Sequence, residues 1–278
     1  MDGPPALRNE GRVPSYSFTP QLPSRSLVPS TGKLYYPWFI LMPSLTIDDF
    51  KPFSVTCELR YKSAYLIYDR TGQVLEDLRD KFTDITVSTA SPAQTAFMAD
   101  EGTFALELGA CRFTSSRFDN KNAETFAKHC AAFFHAVTSQ LQINVFTRIG
   151  LRYIARKEFK TLDESKAALA SMTLANLKPT KRFNSSESPT EVIFRWEDGQ
   201  IGAYVRLRAE TTEIKFPSAP ELQDYVPKVD KKLHGLTLDI DYYTVAPVER
   251  EQWNSLEWLQ QKIRIVRKEA DGILHGVK

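Results

Sequence analysis

Arg148, Arg152 and Arg156 recur at every fourth residue of the run RIGLRYIAR, and this spacing is the clearest sign of chemistry in the chain. Successive side chains of a strand point to opposite faces. Arg148, Gly150, Arg152, Ile154 and Arg156 therefore share one face, and Ile149, Leu151, Tyr153 and Ala155 share the other. Arginines so placed repel each other unless they are paired or solvated. The run LTLDIDYYTV supplies counter-charges, with Asp239 and Asp241 on one face and Leu238 and Ile240 opposite. A bidentate arginine–carboxylate pair across neighbouring strands satisfies both groups. Arg206 and Arg208 share a face of a third strand, as Glu58 and Arg60 do in a fourth.

Two readings follow from these residue types. Arg148, Arg152, Arg206, Asp239 and Asp241 could form a charged concave sheet surface that holds an anionic ligand, because the guanidinium fork is planar and always charged. The plainer reading is a solvated sheet face laced with cross-strand ion pairs. Gly150 fits a close approach by a ligand or another backbone, or a bulge. Paired aspartates such as Asp239 and Asp241 are also a pattern for Mg²⁺, but no third acidic ligand is identifiable, although Glu58 or Glu107 could lie near. No metal and no cofactor are expected.

The other reactive residues assemble into nothing. His129 and His135 stand six apart on one helix, which does not place them on one face. His234 beside Gly235 reads as a loop, and Ser185-Ser186 has no nearby histidine to activate it. There is no HExxH, no GxSxG and no glycine-rich phosphate loop, so no catalytic residue is assigned. Tyr35, Tyr36 and Trp38, and Phe183 and Trp196 around Lys181-Arg182, mix aromatic with basic residues, as single-strand binders and ordinary strand-rich cores both do.

The elements that must position these residues come in two similar sets. The first reads as a strand over 55–65, a helix over 74–82, a strand over 93–98, a turn at Asp100-Glu101-Gly102, a strand over 103–114 and a helix over 123–141. The second reads as a strand over 146–156 and a helix over 162–172, which Thr161 opens with Glu164 at capping-box spacing. Strands over 191–196, 200–209 and 236–245 and a long helix over 249–274 complete it. Leu59-Arg60-Tyr61 matches Leu151-Arg152-Tyr153, and Glu101-Gly102 matches Asp198-Gly199. The shared order predicts a duplicated strand-helix-strand-strand-helix unit with an insertion over 211–245 in the second copy. The fold class expected is α+β, largely antiparallel, with a proline-rich tail at 1–33 and repeats at 34–143 and 144–278.

Composition sets the outer limits. A net charge of +2 gives no bulk attraction to nucleic acid or an anionic membrane, so nucleic acid is left open but not indicated. Cys57, Cys111 and Cys130 are too few for a disulfide framework and read as reduced thiols. No segment reads as a secretory signal or a membrane span, and the expectation is a cytoplasmic protein. In the last helix Lys262, Arg264, Arg267 and Lys268, with Glu257 and Glu269, read as a solvated or partner-facing surface.

RIGLRYIAR in mid-chain, LDIDYY at 238–243 and the closing amphipathic helix together resemble a sporadically distributed, uncharacterised bacterial family marked by R-I/V-G-L-R-Y-I-N-R. Arg148, Gly150, Arg152 and Tyr153 match that motif, and Asp239 and Asp241 match its later L-D-I-D. Ala155 stands where the family has asparagine. The resemblance implies a setting among mobile or phage-defence genes and implies no activity. The reading taken forward is a non-enzymatic binding or adaptor protein with a protein partner or a small anionic ligand at the arginine-bearing face, and with self-association allowed. The alternative is an enzyme or nucleic-acid-processing factor acting on a phosphate-containing substrate.

Overall fold

Two long strands, β1 (Lys51–Tyr61) and β6 (Val145–Phe159), run antiparallel at the centre of one sheet. The computed structural model describes residues 45–91, 94–119, 121–172, 190–214 and 231–275. The tail at 1–33, Tyr35, Tyr36, Trp38, Lys181, Arg182, Phe183 and Ser185-Ser186 lie outside the described residues. After β1 come α1 (Ile67–Arg79), β2 (Thr86–Ser91), β3 (Gln94–Ala99), β4 (Gly102–Glu107), β5 (Ala110–Ser115) and α2 (Ala123–Gln140). After β6 come α3 (Leu162–Ser171), β7 (Glu191–Asp198), β8 (Ile201–Ile214), β9 (Lys231–Thr244), the two-residue β10 (Val248–Glu249) and α4 (Ser255–His275). The protein is α+β, with four helices against a ten-stranded antiparallel sheet among the described residues.

The sheet order is β2-β3-β4-β5-β1-β6-β9-β8-β7, with β10 on the end of β6. Both halves therefore share one sheet. Outward from the centre, β5, β4 and β3 on one side stand where β9, β8 and β7 stand on the other. Each half runs strand, helix, antiparallel strands, helix, and the first half has β2 in addition.

Alternation decides which face is buried. Cys57 and Leu59 of β1, Ile149 and Leu151 of β6, Leu238 and Ile240 of β9 and Val205 of β8 all point to one side and are buried. The apolar residues of the helices join the same cluster, including Val74 and Leu78 of α1, Phe133 and Val137 of α2, Leu169 of α3 and Leu259 and Val266 of α4. Phe104, Phe113, Phe126 and Phe133 meet there edge-on or tilted, with ring centroids 4.7–5.4 Å apart. Cys57, Cys111 and Cys130 are free thiols within this core. Burial pushes the Cys111 and Cys130 thiols well above their ordinary range.

Several expected boundaries are corrected. The segment expected as one strand over 103–114 is the hairpin β4–β5, turning at Leu108-Gly109. The buried residues switch there from even numbers (Phe104, Leu106) to odd (Cys111, Phe113), which is the mark of a two-residue turn. The first helix begins at Ile67 rather than at 74, and Ile67, Val74 and Leu78 fall at helical spacing. β2 had no expectation: all six of its residues are exposed, so it carries no apolar alternation. β8 and β9 are longer than expected, so residues 211–214 and 231–235 extend strands, and His234 and Gly235 lie in β9 rather than in a loop. The closing helix is broken into a short 3₁₀ turn, Arg250–Gln252, and α4.

Candidate functional site

The central ladder fixes which charged residues meet. Glu58 on β1 stands opposite Arg112 on β5 and Gly150 on β6. Arg152 on β6 stands opposite Thr56 on β1 and Asp241 on β9. On β8, Tyr204 opposes Asp241 and Arg206 opposes Asp239. All these residues share the face turned away from the helices.

Here the arginines and carboxylates are joined in specific pairs. The Arg152 guanidinium donates from Nε to Asp239 Oδ1 at 2.8 Å and from Nη2 to Oδ2 at 2.7 Å, the expected bidentate pair. The hydrogen bond to Asp239 holds Arg152 above its ordinary pKa. Arg148 donates from Nη2 to Asp241 Oδ2 at 2.6 Å and from Nη1 to Glu58 Oε1 at 3.2 Å. Arg60 Nε donates to the same Glu58 oxygen at 2.5 Å, and Arg112 Nε lies 3.9 Å from Glu58 Oε2. Arg112 also pairs with Glu107.

Four of these arginines surround a concavity of about 400 Å³. Arg60, Arg112, Arg148 and Arg152 rise around a floor of short side chains that includes Thr56, Ala105, Thr114 and Gly150, and Thr56 and Thr114 hydrogen-bond to each other at 2.9 Å. Asp241 and Glu58 complete the wall. Of the five residues expected from sequence, Arg148, Arg152 and Asp241 line this concavity. Asp239 supports it from beneath Arg152. Arg206 does not line it: it stands on β8, paired with Glu191 of β7. Arg156 is likewise committed elsewhere, donating to Thr212 Oγ1 at 2.8 Å and to the Leu233 carbonyl at 2.7 Å.

Gly150 is not demanded by a close contact. A Cβ there would meet Arg148 and Asp241 at 3.6–3.7 Å, an ordinary van der Waals distance. The glycine crowded against Tyr243 is Gly202 on β8, where a Cβ would stand 2.5 Å from the ring. Tyr243 lies between Gly150 and Gly202 in the ladder, with the Arg148 guanidinium carbon 4.6 Å from its ring centroid. Its hydroxyl donates to Glu197 Oε1 at 3.0 Å. Glu58, Arg60 and Arg112 line the concavity and were not among the five residues expected from sequence. The switch from even to odd burial at Leu108-Gly109 was the available signal for Arg112.

Asp239 and Asp241 are each tied to an arginine. Among the described residues no group of three or more His, Cys, Asp or Glu is placed to hold a metal ion. His129 is edge-on to Phe82 and Phe113, and burial holds its ring below the ordinary histidine value. A second concavity of about 540 Å³ lies between the ends of β1 and α2, lined by Tyr61, Ala64, Leu66, Leu141 and Ile143, with Lys62 its charged residue. No helix among the described residues is long and apolar enough to cross a membrane.

No family model matches the chain, and no curated protein matches it. Among solved structures, the di-domain ARO/CYC StfQ from the steffimycin biosynthetic pathway aligns over 80% of this chain and 95% of its own, at 10% identity. The TM-score of 0.17 is too low for a shared fold.

Proposed function

We propose that the protein is a binding module that takes an anionic group of its ligand or partner on the open face of the sheet. The observation that carries this reading is the ring of four guanidinium groups around a floor of threonine, alanine and glycine. Such a floor leaves room for a guest between the forks, and arginine recognises carboxylate and phosphate through two parallel hydrogen bonds. An anionic small molecule and an acidic or phosphorylated segment of a protein partner present the same chemistry to it. Service beside mobile or phage-defence genes, in the cytoplasm, belongs to the same proposal.

The commitment of Asp239 and Asp241 to Arg152 and Arg148 argues against these aspartates acting as a convergent acid–base or metal-binding pair. The test is native mass spectrometry of gently purified protein, followed by calorimetric titration at low salt with pyrophosphate, citrate and a mononucleotide. Retention of an anion, or binding that Arg148→Ala weakens, supports the reading. Indifference to every anion, with no retained ligand or partner, overturns it.

A further inference from the structure

Glu58 differs from the other carboxylates of the face. Asp239 serves Arg152, and Asp241 and Glu107 each pair with one arginine of the ring. Glu58 alone of the four is shared by three of them, Arg60, Arg112 and Arg148, and its side chain is only 15% exposed. The sharing is uneven. Both hydrogen bonds, from Arg60 and Arg148, fall on Oε1, whereas Arg112 remains 3.9 Å from Oε2, beyond hydrogen-bond reach. Two carboxylate oxygens in one plane do not satisfy the three forks that converge here from three strand positions. A tetrahedral phosphoryl group presents three peripheral oxygens and can do so.

We propose that Glu58 occupies the place of the ligand's anion, and that a phosphoryl-bearing ligand binds by displacing it. This rests on the anion-binding reading of the open face. The displaced carboxylate swings toward solvent with Arg60, whose side chain is 52% exposed and which has no other partner among the described residues. At rest the face is self-neutralised: Arg60, Arg112, Arg148 and Arg152 are answered by Glu58, Glu107, Asp239 and Asp241. A singly charged carboxylate ligand would only repeat what Glu58 supplies. A doubly charged phosphoryl group adds charge and a third acceptor, which selects phosphate chemistry over carboxylate chemistry.

The experiment is calorimetric titration of the full chain with pyrophosphate at low salt, in the wild type, Glu58→Gln and Arg148→Ala, with acetate as the planar control. Glu58→Gln keeps the shape of the side chain and removes its charge. It is expected to bind pyrophosphate roughly tenfold or more tightly than the wild type, because no internal anion competes. Acetate is expected to bind Glu58→Gln far more weakly than pyrophosphate does. If Glu58→Gln binds pyrophosphate no more tightly than the wild type while Arg148→Ala loses binding, the displacement proposal falls and the anion site stands. If no variant binds any anion, the site reading falls with it. Should Glu58→Gln fail to fold, Glu58→Asp decides: its shorter carboxylate cannot hold Arg60 and Arg148 together, so binding tighter than wild type is expected, and equal or weaker binding overturns the displacement.

Discussion

Arg152 grips Asp239, not the residue that faces it across the ladder. Its cross-strand partner is Asp241, yet both of its hydrogen bonds run diagonally to Asp239, two positions along β9. Asp241 is thereby left to Arg148, which reaches it diagonally in the same sense. The two aspartates are served by two different arginines, and both arginines lean in the same direction along β9.

This lean makes the two members of the Arg152–Asp239 pair unequal. The Arg152 side chain is 53% exposed and that of Asp239 is 12% exposed. Arg152→Ala strands a nearly buried carboxylate, whereas Asp239→Asn releases a guanidinium that water can solvate. Arg152→Ala is expected to cost about 1–2 kcal/mol, below the range for fully buried pairs because Arg152 is screened by solvent, and Asp239→Asn about half as much. Denaturant unfolding of both variants checks the order, and equal costs would contradict it.

The two glycines beside Tyr243 are expected to respond differently. Gly150→Ala places its methyl at ordinary contact distance and changes stability by no more than about 0.5 kcal/mol. Gly202→Ala drives a methyl into a ring held by Glu197 on one side and Arg148 on the other, at a cost of about 1–2 kcal/mol. Unfolding midpoints measured side by side decide the matter.

Lys262 of α4, expected on a solvated or partner-facing surface, is buried, and its ammonium sits 5.4 Å from the Tyr242 ring centroid. Burial lowers its pKa from the ordinary 10.5. Between the lowered value and 10.5 the unfolded chain binds more protons than the folded one, so this residue's contribution to stability rises with pH across that window. Lys262→Met is expected to unfold at a higher temperature than the wild type at neutral pH, and the gap is expected to narrow as pH approaches 10.5. A gap independent of pH would show that packing alone is responsible.

At the start of α3, Thr161 Oγ1 accepts a hydrogen bond from the Glu164 N–H at 3.2 Å. The Glu164 carboxylate in turn accepts from the Lys160 N–H at 3.0 Å, one residue earlier than a capping box requires. Thr161→Ala is expected to cost about 1 kcal/mol by denaturant unfolding, and Thr161→Ser less than half of that.

The parts of the fold legible in sequence were those with one buried and one open face. β6 shows its alternation in RIGLRYIAR, and the partition of Arg148 and Arg152 from Ile149 and Leu151 holds residue by residue. α2 shows its stripe in Phe126, Cys130, Phe133 and Val137, all buried. β2 was silent because neither of its faces is buried. The pairing of Asp239 with Arg152 was readable as chemistry, since a carboxylate on one strand and an arginine on another need each other. That Arg206 belongs to Glu191 was not, because partner choice depends on strand order, which alternation does not encode.

The concavity is a property of the seam between the two halves. Glu58 and Arg148 are 90 residues apart in the chain, while β2 to β5 and β7 to β9 pair with near neighbours. Closing so long a loop carries an entropy that the local hairpins do not. Each half carries two of the four arginines, Arg60 and Arg112 in one and Arg148 and Arg152 in the other. The ring of guanidinium groups comes into being only when β1 meets β6, so fragments cut in the connector between α2 and β6 would keep their hairpins and lose the site.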